Sequence, residues 1–175
     1  YALCDCTGYR LDGTDTEPGM YVGIIINRSL ADTTDSVTGL GDIHALVNAI
    51  GEMRRVARKA GLIAIKIDDI ANVNARFGFD AGDRVLAESA ACLMECSRGK
   101  GRLFRSTGPT FAALFDDFDP EETDAIAEEI ERFLGSPVLI GSLEYQPPIR
   151  VATLHLDGVD RQPVSILNEL KALLG

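Results

Sequence analysis

Apolar residues recur along this chain with two different periods. Two stretches, Tyr21-Val22-Gly23-Ile24-Ile25-Ile26 and Leu62-Ile63-Ala64-Ile65-Lys66-Ile67-Asp68, are almost unbroken apolar runs, the pattern of strands covered on both faces. From Gly41 to Ala60 the spacing lengthens to that of a helix. Ile43, Leu46, Val47, Ile50, Met53 and Ala57 fall on one stripe there. Asp42 suits the positive end of this helix, Arg54, Arg55, Arg58 and Lys59 the negative end, and Gly61 its stop. Those four basic residues are read as a solvated helix end rather than an anion site. A turn-rich stretch, Asn72 to Gly82, leads to a second long helix from about Asp83 to Ser97. Arg102 to Ser106 and Phe111 to Phe115 read as short strands joined by a hairpin turn, Thr107-Gly108-Pro109-Thr110. Asp119-Pro120-Glu121-Glu122 opens the next helix with a cap, a first-turn proline and acids at the positive end, and Gly135 closes it. Strands near 137–140 and 147–156 and a helix from Val164 to Leu174 complete the pattern. The alternation predicts an α+β fold, a mixed sheet layered with helices.

The N-terminal part follows a separate pattern. Tyr1 to Leu11 is extended, turn formers fill Asp12 to Gly19, and the apolar run at 21–26 returns, so residues 1–28 predict a β-hairpin. A lone hairpin is marginal in water and needs something to pack on. Residues 29–38 are polar, rich in Asp and Thr, and read as connecting chain.

Composition narrows the function classes. The 175 residues suffice for one domain with a core of its own, and a net charge of -10 argues against a general affinity for DNA, RNA or anionic membrane. No apolar stretch approaches the ~20 residues of a membrane span, and no secretory signal opens the chain. The chain begins with Tyr1, which suggests a piece of a longer protein; this segment is expected to be cytoplasmic, whatever anchors the parent. Cys4, Cys6, Cys92 and Cys96 lack the spacing of a zinc site and are read as reduced thiols.

Three motifs carry chemistry. Asp35-Ser36-Val37-Thr38-Gly39-Leu40 is the first. The second is Lys66-Ile67-Asp68 at the end of a strand, followed by Asn74, Gly78 and Ala81-Gly82-Asp83. The third is Arg105-Ser106-Thr107-Gly108-Pro109-Thr110-Phe111-Ala112. Together they resemble the GGDEF domain, the catalytic module of diguanylate cyclases. They match its D-x-L-T-G-L opening, its D-I-D-x-F-K-x-x-N-D-x-x-G-H-x-x-G-D segment and its R-x-G-G-D-E-F-A signature, and order and spacing agree over residues 35–175. The hairpin at 1–28 resembles the last two strands of a PAS sensor domain. The implied layout is a PAS-like hairpin at 1–28, a linker at 29–34 and a GGDEF domain at 35–175. The implied fold is a mostly antiparallel sheet of the nucleotidyl-cyclase type, flanked by helices.

The resemblance implies an activity and at the same time a lost one. Such domains join two GTP molecules into cyclic di-GMP across a face-to-face dimer, with two Mg²⁺ ions held by carboxylates. Here Lys66 stands at the strand-end ligand position and Pro109 at the hairpin ligand position, while Thr107 and Thr110 replace further signature residues. An ammonium repels a metal and proline has no side-chain oxygen. The family's F-K pair is Ile70-Ala71, and its product-binding R-x-x-D reads Arg98-Gly99-Lys100-Gly101, without the Asp. No catalytic residue, metal ligand or cofactor is therefore expected. A metal relocated to Asp68 is the alternative; otherwise Asp68 and Asp69 cap the loop and are solvated, and Asp116, Asp117 and Asp119 form a helix-capping acidic loop. Asn74 and Asp83 match the two positions that read the guanine edge, against the plainer roles of loop and cap. With Lys66 facing the phosphates they make a candidate guanine-nucleotide site. His44 is expected at the surface, and His155, on a late strand, has no evident partner. The expected function is that of a silent regulatory or dimerisation domain of a cyclic di-GMP signalling protein. Its expected partners are GTP, a PAS-like sensor, an output such as a phosphodiesterase (EAL) domain, and a second copy. Two alternatives remain: a cyclase with a rearranged metal site, and a structural scaffold without ligand.

Overall fold

The computed structural model describes residues 4–11, 20–27, 33–56, 59–97, 99–140, 143–157 and 162–175. The chain divides into two compact units, 1–32 and 33–175. In the first, β1 (Cys4–Leu11) and β2 (Met20–Asn27) pair antiparallel as a two-stranded sheet, from Cys4 opposite Asn27 to Leu11 opposite Met20. The hairpin expected from the apolar pattern is present. The expectations about the side chains of residues 1–32, including Cys4, Cys6 and Ile24 to Ile26, lie outside the described residues, as does Arg98.

The second unit is built around a four-stranded sheet in the order β4-β5-β3-β8, with β4 Arg102–Thr107, β5 Thr110–Asp116, β3 Lys59–Ile67 and β8 Ile149–Asp157. Its ladders are antiparallel, and β3 is central, flanked by β5 and β8. This explains the unbroken apolar run: Leu62, Ile63, Ile65 and Ile67 are fully buried because both faces of β3 are covered. Alternation sorts the faces. Leu62, Ala64, Ala112, Leu114 and Leu156 pack against α1 (Ile43–Val56) and α5 (Pro163–Leu174) through Leu46, Ile50, Met53, Ile166 and Leu170. Ile63, Ile65, Ile67, Phe111, Ala113 and Phe115 pack against α2 (Ile70–Phe77), α3 (Phe79–Ser97) and α4 (Pro120–Leu134). A second two-stranded sheet joins β6 (Val138–Ile140) to β7 (Leu143–Tyr145). The expected α+β architecture, a mostly antiparallel sheet flanked by helices, is the one observed.

Several boundaries differ from those read in the sequence. Lys59 opens β3 rather than closing α1, because its backbone pairs with Asp157 of β8. The stretch 72–82 is not a turn region. It holds α2 and the first turn of α3, with Ile70 and Val73 buried one helical turn apart. The strand β7 has no counterpart in the sequence reading.

Candidate functional site

The C-terminal end of β3 is where the second and third motifs meet. In the ladders, Lys66 stands opposite Thr110 on β5 and Arg150 on β8. Side chains directly opposite in a ladder share a face, so Thr110, Lys66 and Arg150 form one row across three strands. That face is the one covered by α1 and α5. The hairpin turn closes over the same strand end, since Ile67 N–H donates to the Pro109 carbonyl at 3.0 Å. Gly108 takes a φ of 55° there, a conformation glycine adopts without a Cβ clash. Lys66 and Pro109 thus lie side by side at one end of the sheet.

The charges in this row are tightly arranged. Arg150 grips Asp68 as a fork, Nε to Oδ2 at 2.7 Å and Nη2 to Oδ1 at 2.7 Å. Its remaining terminal nitrogen, Nη1, donates to the Leu174 carbonyl and, at 3.0 Å, to the Gly175 carbonyl, at the end of α5. Lys66 Nζ donates to the same Gly175 carbonyl at 3.4 Å and lies 3.9 Å from Asp68 Oδ1. The hydrogen bonds from Arg150 hold the Asp68 carboxyl below its ordinary range, against the opposing effect of burial, and the charges of Arg150 and Lys66 add to this. Asp68 is therefore ion-paired, a correction to its reading as a solvated loop cap. Asp69 does stand at the N-cap of α2, at a φ of 68°, but caps no backbone N–H with its side chain. It accepts instead from Asn72 and from the Tyr145 hydroxyl.

These residues do not fit a divalent cation. A hard cation wants several oxygen ligands, and the row offers two cations, one hydroxyl and a carboxylate whose two oxygens are taken by a guanidinium. Among the described residues no group of three His, Cys, Asp or Glu is placed to hold a metal.

The two guanine-reading candidates lie on the helical pair that follows. Asn74 sits on α2 with its side chain packed on Gly82 of α3, where a Cβ would come within 1.9 Å of its Oδ1. That Oδ1 is buried and has no hydrogen-bond partner among the described residues, so it does not serve the turn backbone. Asp83 lies inside α3, which begins at Phe79, and is exposed; it is not a helix cap. The structure thus places Asn74 beside the residue preceding Asp83. The contacts of Lys66 run instead to Asp68 and Gly175.

The first motif is tied to the third by an ion pair. Arg105 Nη1 donates to both Asp35 oxygens at 3.0 and 3.2 Å, and its Nε donates to the Gly108 carbonyl of the hairpin turn at 2.9 Å. Thr38 donates to Asp35 from both its backbone and its hydroxyl. Burial opposes ionisation of Asp35, but the hydrogen bonds from Thr38 and Arg105 outweigh it and hold the carboxyl below its usual range.

The remaining candidates are structural or at the surface. His44 is exposed, and His155, without a partner in the sequence reading, lies 3.5 Å from Asp124 of α4. Asp119 caps α4 with its side chain, whereas Asp116 pairs with Arg102. Cys92 and Cys96 are not disulfide-bonded, and burial pushes the Cys96 thiol up to about 12, which leaves it inert. Arg150 escaped the sequence reading. A single arginine in an alternating strand carries no signal until the register puts it beside Lys66.

The family profile described as "Diguanylate cyclase, GGDEF domain" matches residues 32–138. The chain belongs to the GGDEF family. It is 29% identical over 119 residues to the cyclic di-GMP phosphodiesterase PdeR of Escherichia coli K12, covering 67% of this chain and 18% of that protein. It is also 29% identical over 84 residues to the diguanylate cyclase DgcS of Shewanella oneidensis, covering 46% of this chain and 28% of that protein. The chain therefore spans less than a third of either relative. Among solved structures, the GGDEF domain of FimX from Pseudomonas aeruginosa superposes with a TM-score of 0.77 at 19% identity, over 82% of this chain and 92% of that one. The GGDEF domain of DgcB from Caulobacter crescentus, solved in complex with c-di-GMP, gives 0.71 at 20% identity, over 85% and 88% of the two chains. These likenesses establish the fold. No helix among the described residues is long and apolar enough to cross a membrane.

Proposed function

We propose that this GGDEF domain is a non-catalytic regulatory module that binds guanine nucleotide weakly and without metal. The observation that carries the reading is the ion cluster at the end of β3. Lys66 stands at the family's strand-end ligand position, and the neighbouring carboxylate, Asp68, is claimed by Arg150. An ammonium fixed at that place supplies positive charge to phosphates without a metal, as phosphate-binding lysines do. Asn74 contributes a buried acceptor with no hydrogen-bond partner among the described residues and Asp83 an exposed carboxylate, groups suited to guanine N1–H and N2–H₂. One cation in place of two divalent ions makes the affinity modest. In a longer protein the domain would sit between a PAS-like sensor, of which residues 1–28 are the end, and an output. The match to one segment of a cyclic di-GMP phosphodiesterase favours an output of that kind. Nucleotide binding without turnover shifts such a protein by its differential affinity for two states.

Purified protein given GTP with Mg²⁺ or Mn²⁺ is expected to make no cyclic di-GMP. Turnover at about 0.1 per second or faster, against a usual enzyme range starting near one, would favour a rearranged cyclase site instead. In EDTA, GTP is expected to bind at millimolar levels and ATP more weakly, with binding reduced by Lys66→Ala and by Asp83→Ala. Equal binding of GTP and ATP would remove the guanine-reading role of Asn74 and Asp83, and binding of neither would leave a scaffold without ligand.

A further inference from the structure

Phe79 is the most exposed large apolar side chain among the described residues, at 79% of its surface. It opens α3, next to the two guanine-reading candidates. Gly78, at a φ of 89°, turns the chain between α2 and α3, and Asn74 of α2 is seated on Gly82 of α3. Gly82 and Asp83 lie three and four residues beyond Phe79 on the same helix. At those spacings side chains share a face, with about 5–6 Å between Cβ atoms. One exposed ring therefore stands a helical turn from an exposed carboxylate. On the intervening Gly82 rests the Asn74 Oδ1, buried and without a hydrogen-bond partner among the described residues. The neighbouring Phe77 ring is covered by Arg76, 5.2 Å from its centroid. Among the described residues the Phe79 ring has no such cation and no ring stacked on it. The family motif carries histidine at this place. A phenyl group neither donates nor accepts a hydrogen bond, so what Phe79 offers a ligand is its face.

We propose that Phe79 is the stacking platform for the base end of this site: guanine lies on its ring and turns its N1–H and N2–H₂ edge toward Asp83 and the Asn74 oxygen. The inference rests on the nucleotide reading above and adds a contact to the face of the base. Proteins read a base by hydrogen bonds to its polar edge while aromatic side chains hold its face. The start of α3 brings both parts together at helical spacing. The groups around the ring also decide its occupant. An exposed ring bordered by Asp80 and Asp83 suits a ligand that is apolar on its face and donates hydrogen bonds at its rim. An anionic membrane is repelled by the same two carboxylates. An apolar side chain of a partner protein would leave the Asn74 oxygen buried and unpaired. Every base has a face, so stacking supplies affinity for any of them. Phe79 therefore sets how tightly the base is held, and Asp83 and Asn74 set the preference for guanine.

The test uses the full chain in EDTA, with calorimetric titration of GTP and ATP. Phe79→Ala is expected to weaken GTP binding about tenfold, the scale of one base–aromatic stack. Its thermal midpoint is expected to match the wild type, because the ring is exposed. Phe79→Trp enlarges the face and is expected to bind both nucleotides at least as tightly as the wild type, with the preference for GTP kept. The chain has no tryptophan of its own, so this variant also reports from the site. GTP is expected to quench its fluorescence saturably, with the midpoint found by calorimetry. Phe133→Trp, on the exposed side of α4, is the control and is expected to show only the linear loss of random collision. Unchanged GTP affinity in Phe79→Ala, or quenching in Phe79→Trp no greater than in Phe133→Trp, overturns the stack while sparing the nucleotide reading. If GTP binds neither the wild type nor Phe79→Trp at millimolar levels, both fall.

Discussion

Single residues in this domain act through partners far away in sequence. Asp35 and Asp68 are held ionised by Arg105 and Arg150, 70 and 82 residues on. Both carboxyls titrate below their ordinary value in the folded chain. Their stabilisation is therefore complete above an unfolded-state pKa of about 3.9 and is lost as pH falls through the folded-state values. The midpoint of thermal unfolding is expected to drop as pH falls below about 4 and on through the folded-state values. It should drop less steeply in Asp35→Asn, which lacks one of the two groups, and equal slopes would show that the Asp35–Arg105 pair contributes nothing to the acid response. At neutral pH the same variant is expected to be less stable, since it leaves Arg105 partly buried without its charge partner.

At the scale of elements, two helices illustrate what local sequence does and does not carry. The start of α4 is legible residue by residue. Asp119 accepts from Glu122 N–H at 2.9 Å, the Glu122 carboxylate accepts from Asp119 N–H, and Pro120 holds the first turn. Asp119→Ala is expected to cost about 1 kcal/mol, read as a shift in denaturant midpoint at constant slope. By contrast α2, with two asparagines and a following glycine, has the composition of a loop, and its helix depends on packing Ile70 and Val73 into the core. Contact between elements sets other requirements. Gly61 on β3 lies under Thr123 of α4, and a Cβ there would meet the threonine hydroxyl at 2.1 Å. Thr123 is wholly buried and bonded to the Asp119 carbonyl, so it cannot move aside at little cost. Gly61→Ala is expected to destabilise by roughly 1–3 kcal/mol, and adding Thr123→Ala should restore part of the loss. No recovery in the double variant would place the strain elsewhere.

For the molecule as a whole, the division at 32/33 is the feature with experimental consequences. The unit 33–175 contains both core clusters and the four-stranded sheet. It also contains its own entry segment. Asp42 N–H donates to the Thr33 carbonyl, and Gly41 bonds to β4 in both directions, donating to Leu103 and accepting from Arg105. A fragment comprising residues 33–175 is expected to fold alone, with one cooperative thermal transition. Loss of cooperativity on removing residues 1–32 would mean that the two units depend on each other.

The sequence by itself determined most strands and helices, because burial on two faces, on one stripe or at a capped end leaves a periodic trace in the side chains. It also determined the family, through three spaced motifs, and it put at positions 66 and 109 a lysine and a proline, neither of which carries a side-chain oxygen. Tertiary structure decided the rest. The register of β8 on β3 put Arg150 next to Lys66, a placement that backbone pairing sets and no local pattern records. Packing of α2 on α3 buried the Asn74 amide oxygen against Gly82, and the closing of the sheet brought Asp68 to Arg150. Those contacts join residues far apart in the chain, and their energies come from burial and charge that exist only once the sheet has formed.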